Sequence, residues 1–148
     1  MARALIVGCG CRGRELGGRL LAGGWAVRGT SRREEGLEAI AAAGIEATEA
    51  DPDRPGTILE LVGDVAVLVL LLGGCHGSEE ELAAIHGPRL ERLLEHLVET
   101  PIRGVVYEGT EEGAEIVRAA ERTWRIPVRV AGEGDDPAAL VEAVLVGR

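Results

Sequence analysis

Two short stretches of this sequence are built from residue types that hold anions. In the first, Gly8-Cys9-Gly10-Cys11-Arg12-Gly13, the glycines are spaced G-x-G-x-x-G. At this spacing Gly8 allows a tight turn off a strand, and Gly10 lets a pyrophosphate approach the backbone. Gly13 lets a following helix pack close to that strand. A helix that opens here points unpaired N–H groups and the positive end of its dipole at the phosphates. In a chain with 22 glycines the spacing alone says little. Its weight comes from context, because Ala4 to Val7 reads as a strand before it and Arg12 to Ala22 as a helix after it.

The second stretch is Gly29-Thr30-Ser31-Arg32-Arg33. Binders of NAD usually place an acid about 20 residues beyond the glycines, on the ribose hydroxyls. A carboxylate would repel a 2′-phosphate, whereas hydroxyls and guanidinium groups bind one. Arg12 is placed to reach the same phosphate or the pyrophosphate. The plainer reading makes Arg32 and Arg33 a solvated helix start, although the helix dipole disfavours arginine there. The expected ligand is therefore NADP(H), with NAD(H) the lesser candidate.

Further candidates lie at the ends of other strands. Asp51 either accepts a bond from an adenine amino group or caps the turn before Pro52. The glycines of Leu72-Gly73-Gly74 would let the backbone approach a ribose or pyrophosphate. Cys9, Cys11, Cys75 and His76 come from neighbouring strand ends and make a Cys₃His set of the kind zinc takes, though not at a standard zinc spacing. The alternative is that these cysteines are simply small residues in tight loops. His76 is either a proton donor near a nicotinamide or a loop histidine in water. Tyr107, Glu108 and Thr110 follow the fifth strand and face the nicotinamide end, unless Tyr107 packs against the sheet. His86 and His96 read as surface or interface residues.

The elements that must position these residues alternate along the chain. Strands are expected at Ala4–Val7, Ala26–Thr30, Ile45–Ala50, Val65–Leu72, Arg103–Tyr107 and Pro127–Ala131. Helices are expected between them, at 12–22, 34–43, 78–98 and 111–124, with a last one from Asp136-Pro137 to Leu145. Two capping boxes, Thr57 to Glu60 and Ser78 to Glu81, mark further helix starts. Gly87-Pro88 is expected to break or kink the long fourth helix. The unbroken apolar run at 65–72 is how a central parallel strand looks when both its faces are covered. Repeated βα units imply a single α/β domain over 1–148: a Rossmann-type, doubly wound parallel sheet of six strands in the order 3-2-1-4-5-6.

Composition excludes several classes of partner. The net charge of −9 argues against nucleic acid and against an anionic membrane surface. No apolar run approaches the roughly 20 residues that span a bilayer. No signal sequence precedes the first strand, so a cytoplasmic location is expected. All sixteen basic residues are arginine, so no lysine chemistry is open to this chain. Three cysteines without a secretory signal argue for reduced thiols rather than a disulfide framework.

On the glycine turn, on Gly29-Thr30-Ser31-Arg32 and on Ala50-Asp51, the chain resembles the short-chain dehydrogenase/reductase superfamily in its extended, epimerase-like and atypical branches. The stretch from Gly113 to Val128 resembles the helix and sixth strand that follow the active site there. The resemblance implies dinucleotide binding at the residues named above and adenine contact by Asp51. It also implies a homodimer through the fourth and fifth helices, to which Leu90, Leu93, Leu94 and Leu97 would contribute unless they cover the sheet. Active members pair a Tyr with a Lys four residues on. Here Tyr107 is followed at that distance by Glu111, which would raise a tyrosine pKa rather than lower it. The family's C-terminal substrate region has no counterpart after the sixth strand. A substrate pocket is then expected to need a second subunit, a partner or a shallow site. The expected function is a non-catalytic, regulatory or sensing NADP(H) module. The alternatives are an atypical reductase or epimerase relative using His76, Tyr107 and Thr110, and a metal- or thiol-redox sensor.

Overall fold

The computed structural model describes residues 2–146, so the ends of the expected 1–148 domain lie outside the described residues. Six strands form one parallel sheet in the order β3-β2-β1-β4-β5-β6. They are β1 (Arg3–Val7), β2 (Ala26–Ser31), β3 (Glu46–Glu49), β4 (Val67–Leu71), β5 (Gly104–Glu108) and β6 (Val128–Val130). The helices are α1 (Cys11–Ala22), α2 (Glu34–Ala42), α3 (Pro55–Leu59), α4 (Glu79–Ile85), α5 (Pro88–Leu97), α6 (Glu111–Trp124) and α7 (Pro137–Val146). This is the Rossmann-type arrangement expected from the alternation of apolar runs and helical patterns.

Both faces of the sheet are covered, and the strands read accordingly. Every residue of β4 is buried. Leu5, Val7, Leu68, Leu70 and Leu72 face the side packed by α3, α5 and α6. Ala4, Ile6, Val67, Val69 and Leu71 face the side packed by α1, α2 and α7. Strand β1 pairs with both β2 and β4, Ile6 lying opposite Gly29 on one side and Val69 on the other. The strand order therefore reverses at β1, and a crevice opens at the carboxyl ends there.

Local chemistry sets the helix ends. At Ser78 the expected capping box is present: the hydroxyl accepts from the Glu81 N–H at 3.1 Å, and the Glu81 carboxylate accepts from the Ser78 N–H at 3.3 Å. The box expected at Thr57 is not formed. Pro55 opens α3 two residues earlier, so Thr57 lies inside the first turn. Its hydroxyl accepts from the Asp51 N–H at 2.9 Å and lies 2.7 Å from the Arg54 carbonyl. Gly87-Pro88 divides the long helix into α4 and α5, as a proline inside a helical pattern should.

The leucine face of α5 covers the sheet. Leu90, Leu93, Leu94 and Leu97 are all buried within the chain, so these side chains are not presented to a second subunit. None of the described helices is long and apolar enough to cross a membrane.

Candidate functional site

The glycine turn follows β1 at the point where the strand order reverses, and its three glycines do different things. Gly8 has a φ of +84°, and a Cβ there would run into the backbone carbonyl of Leu71 on β4. Gly13 packs against the turn itself, its Cβ position lying 3.2 Å from the Gly8 carbonyl oxygen and 3.3 Å from Ile6. These two glycines satisfy the protein. Gly10 does not, because apart from its chain neighbours no protein atom lies within 4 Å of where its Cβ would be. Its bare backbone lines a cleft of about 1290 Å³ that runs across the ends of β1, β2, β4, β5 and β6.

Helix α1 starts at this turn with Gly10 as its N-cap and no side-chain cap. Its first-turn N–H groups are thus left to the cleft, where the dipole favours an anion. Arg12 and Arg14 project from the same turn and line the cleft. The guanidinium of Arg14 lies 3.4 Å from the Cys11 sulfur.

The end of β2 forms the next wall. Thr30 is buried at the cleft floor, and Ser31, Arg32 and Arg33 follow it along the lining. Ser31 has room because residue 36, in the first turn of α2, is glycine; a Cβ there would meet the Ser31 hydroxyl. That hydroxyl accepts from the Arg33 N–H at 3.2 Å and shapes the turn into α2. Arg32 reaches across to donate to the His76 carbonyl at 3.2 Å. Arg12 forms an ion pair with Glu108 at the end of β5. Two arginine straps therefore cross the cleft from its β1–β2 side to its β4–β5 side.

Of the remaining sequence candidates, some line the cleft and some do not. Gly73, Gly74, Cys75, His76 and Thr110 do. Leu72 points the other way, into the core, and Leu71 takes its place in the lining. The Asp51 carboxylate is used locally, accepting from the Asp53 N–H at 2.9 Å. That bond fits the turn-capping alternative, and the neighbours Ala50 and Pro52 line the cleft.

The cysteine–histidine set does not assemble. Among the described residues no three of His, Cys, Asp and Glu could hold a metal ion together. Cys9 is the reason on one side. It is buried, and its sulfur is wedged toward Gly29 and Gly13 beneath α1. Burial pushes its thiol up to about 11, so it stays protonated near neutrality. Cys11 is exposed at the head of α1, and Cys75 is half-buried on the β4 side with its thiol also pushed up by burial.

Tyr107 is fully buried and lies outside the cleft lining. Glycines at 109 and 113 make room for its hydroxyl, because a Cβ at either position would collide with it. That oxygen accepts from the Thr110 N–H at 3.0 Å and lies 2.7 Å from Nδ1 of His86. His86, expected at the surface or an interface, is 7% exposed instead. It caps α4 and bonds to the Leu72 backbone. The pair therefore ties the end of β4, the end of α4, β5 and the start of α6 into one buried polar knot beneath the cleft. Burial is the main cause holding the His86 pKa below its ordinary value, and burial likewise raises the Tyr107 phenol.

Because the folded state keeps His86 neutral, the unfolded chain binds its proton more readily. Stability is then full above the ordinary histidine pKa of about 6.5 and is lost as pH falls through the lower folded value. Urea midpoints are expected to fall between pH 7.5 and pH 5. The fall should be shallower in His86→Leu, which starts out less stable because the Tyr107 hydroxyl loses a partner. Equal slopes in the two proteins would remove His86 as the titrating group.

No protein-family model matches this sequence. No curated protein matches it. Solved structures do. The UDP-glucuronic acid 4-epimerase from Bacillus cereus, in complex with NAD, superposes with a TM-score of 0.67 at 12% identity, over 86% of this chain and 55% of that one. The triphenylmethane reductase of Citrobacter sp., complexed with NADP(H), gives 0.63 at 19% identity, over 88% and 48%. Vestitone reductase from alfalfa gives 0.67 at 13% identity, over 88% and 56%. The chain spans about half the length of these structures. At such identities the likeness is one of fold.

Proposed function

We propose that this chain binds NADP(H) in the cleft across β1 and β4, and that it acts as a nucleotide-responsive module rather than as a reductase with its own acid–base pair. The observation that carries the binding half is Gly10. The protein itself leaves its Cβ position open, while Gly8 and Gly13 are required by packing. At Gly10 the open space belongs to the cleft, so a ligand can approach the backbone there. The uncapped head of α1 and the two flanking arginines suit a pyrophosphate there. Thr30, Ser31, Arg32 and Arg33 suit a 2′-phosphate at the end of β2, in line with the general preference of guanidinium groups for phosphate. Asp51 and Leu72 contribute to this site through the backbone course of their loops rather than through their side chains.

The non-catalytic half rests on Tyr107. The one tyrosine of the chain is sealed in the polar knot with His86 and is not a lining residue of the cleft. His76 and Thr110 do line it and keep the reductase reading as the second choice. NADPH oxidation with a small carbonyl compound, lost in His76→Ala, would transfer the assignment to that reading.

The cofactor preference is tested by calorimetry with NADPH and NADH on the wild type and on the Arg32→Ala, Arg33→Ala double variant. Two charge-assisted contacts are worth enough for NADPH to bind about 10- to 100-fold more tightly than NADH. The double variant is expected to lose that margin while keeping its NADH affinity. A margin that survives the double substitution would move 2′-phosphate recognition away from β2.

A further inference from the structure

The cleft is electrically polar along its length. Where β1 and β2 end it carries Arg12, Arg14, Arg32 and Arg33. Over β5 and β6 it carries Glu108, Glu111, Glu133 and Asp135. Arg118 also lines that half, but its guanidinium lies 3.2 Å from the Glu115 carboxylate. Glu108 lies at the floor of the acidic half. Its side chain is 18% exposed, and its Oε1 lies 3.5 Å from where a Cβ of Gly73 would be. It is also the carboxylate that pairs with Arg12 of the glycine turn.

A dinucleotide held as proposed above spans both halves. With its pyrophosphate at the head of α1 and its adenosine toward β2, the other mononucleotide extends over β4, β5 and β6. The oxidised and reduced forms of a nicotinamide dinucleotide differ by one positive charge, and that charge is on the ring in this second half. Resting on that reading, we propose that Glu108 gives the cleft a preference for the oxidised dinucleotide, with its cationic ring, over the reduced one, whose ring is neutral. Arg12 sets when this charge is available. Without a phosphate nearby its guanidinium balances Glu108. A pyrophosphate competes for the same guanidinium and leaves the carboxylate to act on the ring. Charge interactions are strong in a partly dehydrated cleft, so one uncompensated carboxylate suffices for discrimination. The arrangement would make occupancy depend on the redox state of the pool, which is what a sensing module requires.

Calorimetric titrations of the full chain with NADP⁺, NADPH and adenosine 2′,5′-bisphosphate test this, on the wild type and on Glu108→Gln. The wild type is expected to bind NADP⁺ about tenfold more tightly than NADPH. In Glu108→Gln the ratio should fall to near one, while adenosine 2′,5′-bisphosphate, which has no ring to sense, changes only by what the release of Arg12 gives all three ligands. Release of Arg12 raises both dinucleotide affinities together in this variant, so the ratio is the informative quantity. Equal wild-type affinities for the two redox states overturn the inference by themselves, whatever the variant does. A ratio unchanged in Glu108→Gln also overturns it and leaves dinucleotide binding standing. If none of the three ligands binds the wild type, the dinucleotide reading fails and takes this inference with it.

Discussion

Replacement of Gly8 by alanine is expected to destabilise the protein by about 3 kcal/mol or more, one of the larger effects a single methyl group can have. Two costs add at this position. The backbone has a φ of +84°, which L side chains rarely adopt, and the new Cβ would be driven into the Leu71 carbonyl. Neither can relax cheaply. Leu71 belongs to β4, which is buried throughout and paired on both sides. The turn is itself fixed, because the Cys9 N–H donates to the Thr30 carbonyl at 3.3 Å and the Gly10 N–H to the Gly8 carbonyl at 2.9 Å. For a chain of this size the loss corresponds to a drop of about 10 °C in Tm. Differential scanning calorimetry measures it directly. A drop of only a degree or two would mean that the turn is looser than its hydrogen bonds imply.

Gly10→Val is expected to do the reverse: leave the fold nearly intact and abolish nucleotide binding. The φ of −81° at this residue is one that L side chains adopt, and apart from its chain neighbours no protein atom lies within 4 Å of the Cβ position. Thermal stability should therefore stay within about 1 kcal/mol of the wild type, as for most substitutions that neither overpack nor strain the chain. The isopropyl group would instead occupy the path by which a pyrophosphate reaches the head of α1. It would remove the contact with the first-turn N–H groups, and affinity should fall at least about 100-fold. The two substitutions lie two residues apart in one motif, yet one reads out packing and the other reads out ligand. If Gly10→Val binds NADPH as the wild type does, the glycine turn is not the phosphate site.

The sheet order was legible because parallel α/β folds write it plainly. The buried strands are unbroken runs of Val, Leu and Ile, and glycines or capping residues punctuate the helices. Thr30 near the end of β2, Thr110 after β5 and the glycine turn could be placed from that pattern alone. The site's cross-connections could not. Arg12 and Glu108 are 96 residues apart, and only the adjacency of β1, β4 and β5 joins them. His86 sits in a polar-looking helix end, and its burial depends on a tyrosine 21 residues on and on two glycines that clear the space around the hydroxyl. Side-chain direction at strand ends was the other blind spot. Leu72 lies next to a lining glycine but turns into the core, and Cys9, though it borders the cleft, buries its sulfur in the core layer on the opposite face of the sheet. Burial of the Cys9 sulfur beneath α1 is what keeps the Cys₃His candidates apart. At Asp51 the carboxylate accepts from the Asp53 N–H, a bond that the turn-capping alternative expects.

The central claim is that a dinucleotide phosphate backbone lies on the glycine turn, and titration of the wild-type chain with NADPH by isothermal calorimetry meets it most directly. The expected result is a single saturable site, one nucleotide per chain, with an affinity in the range of about 1 to 100 μM. No heat of binding up to millimolar nucleotide would contradict it, and the cleft would then be a Rossmann crevice shaped for some other ligand.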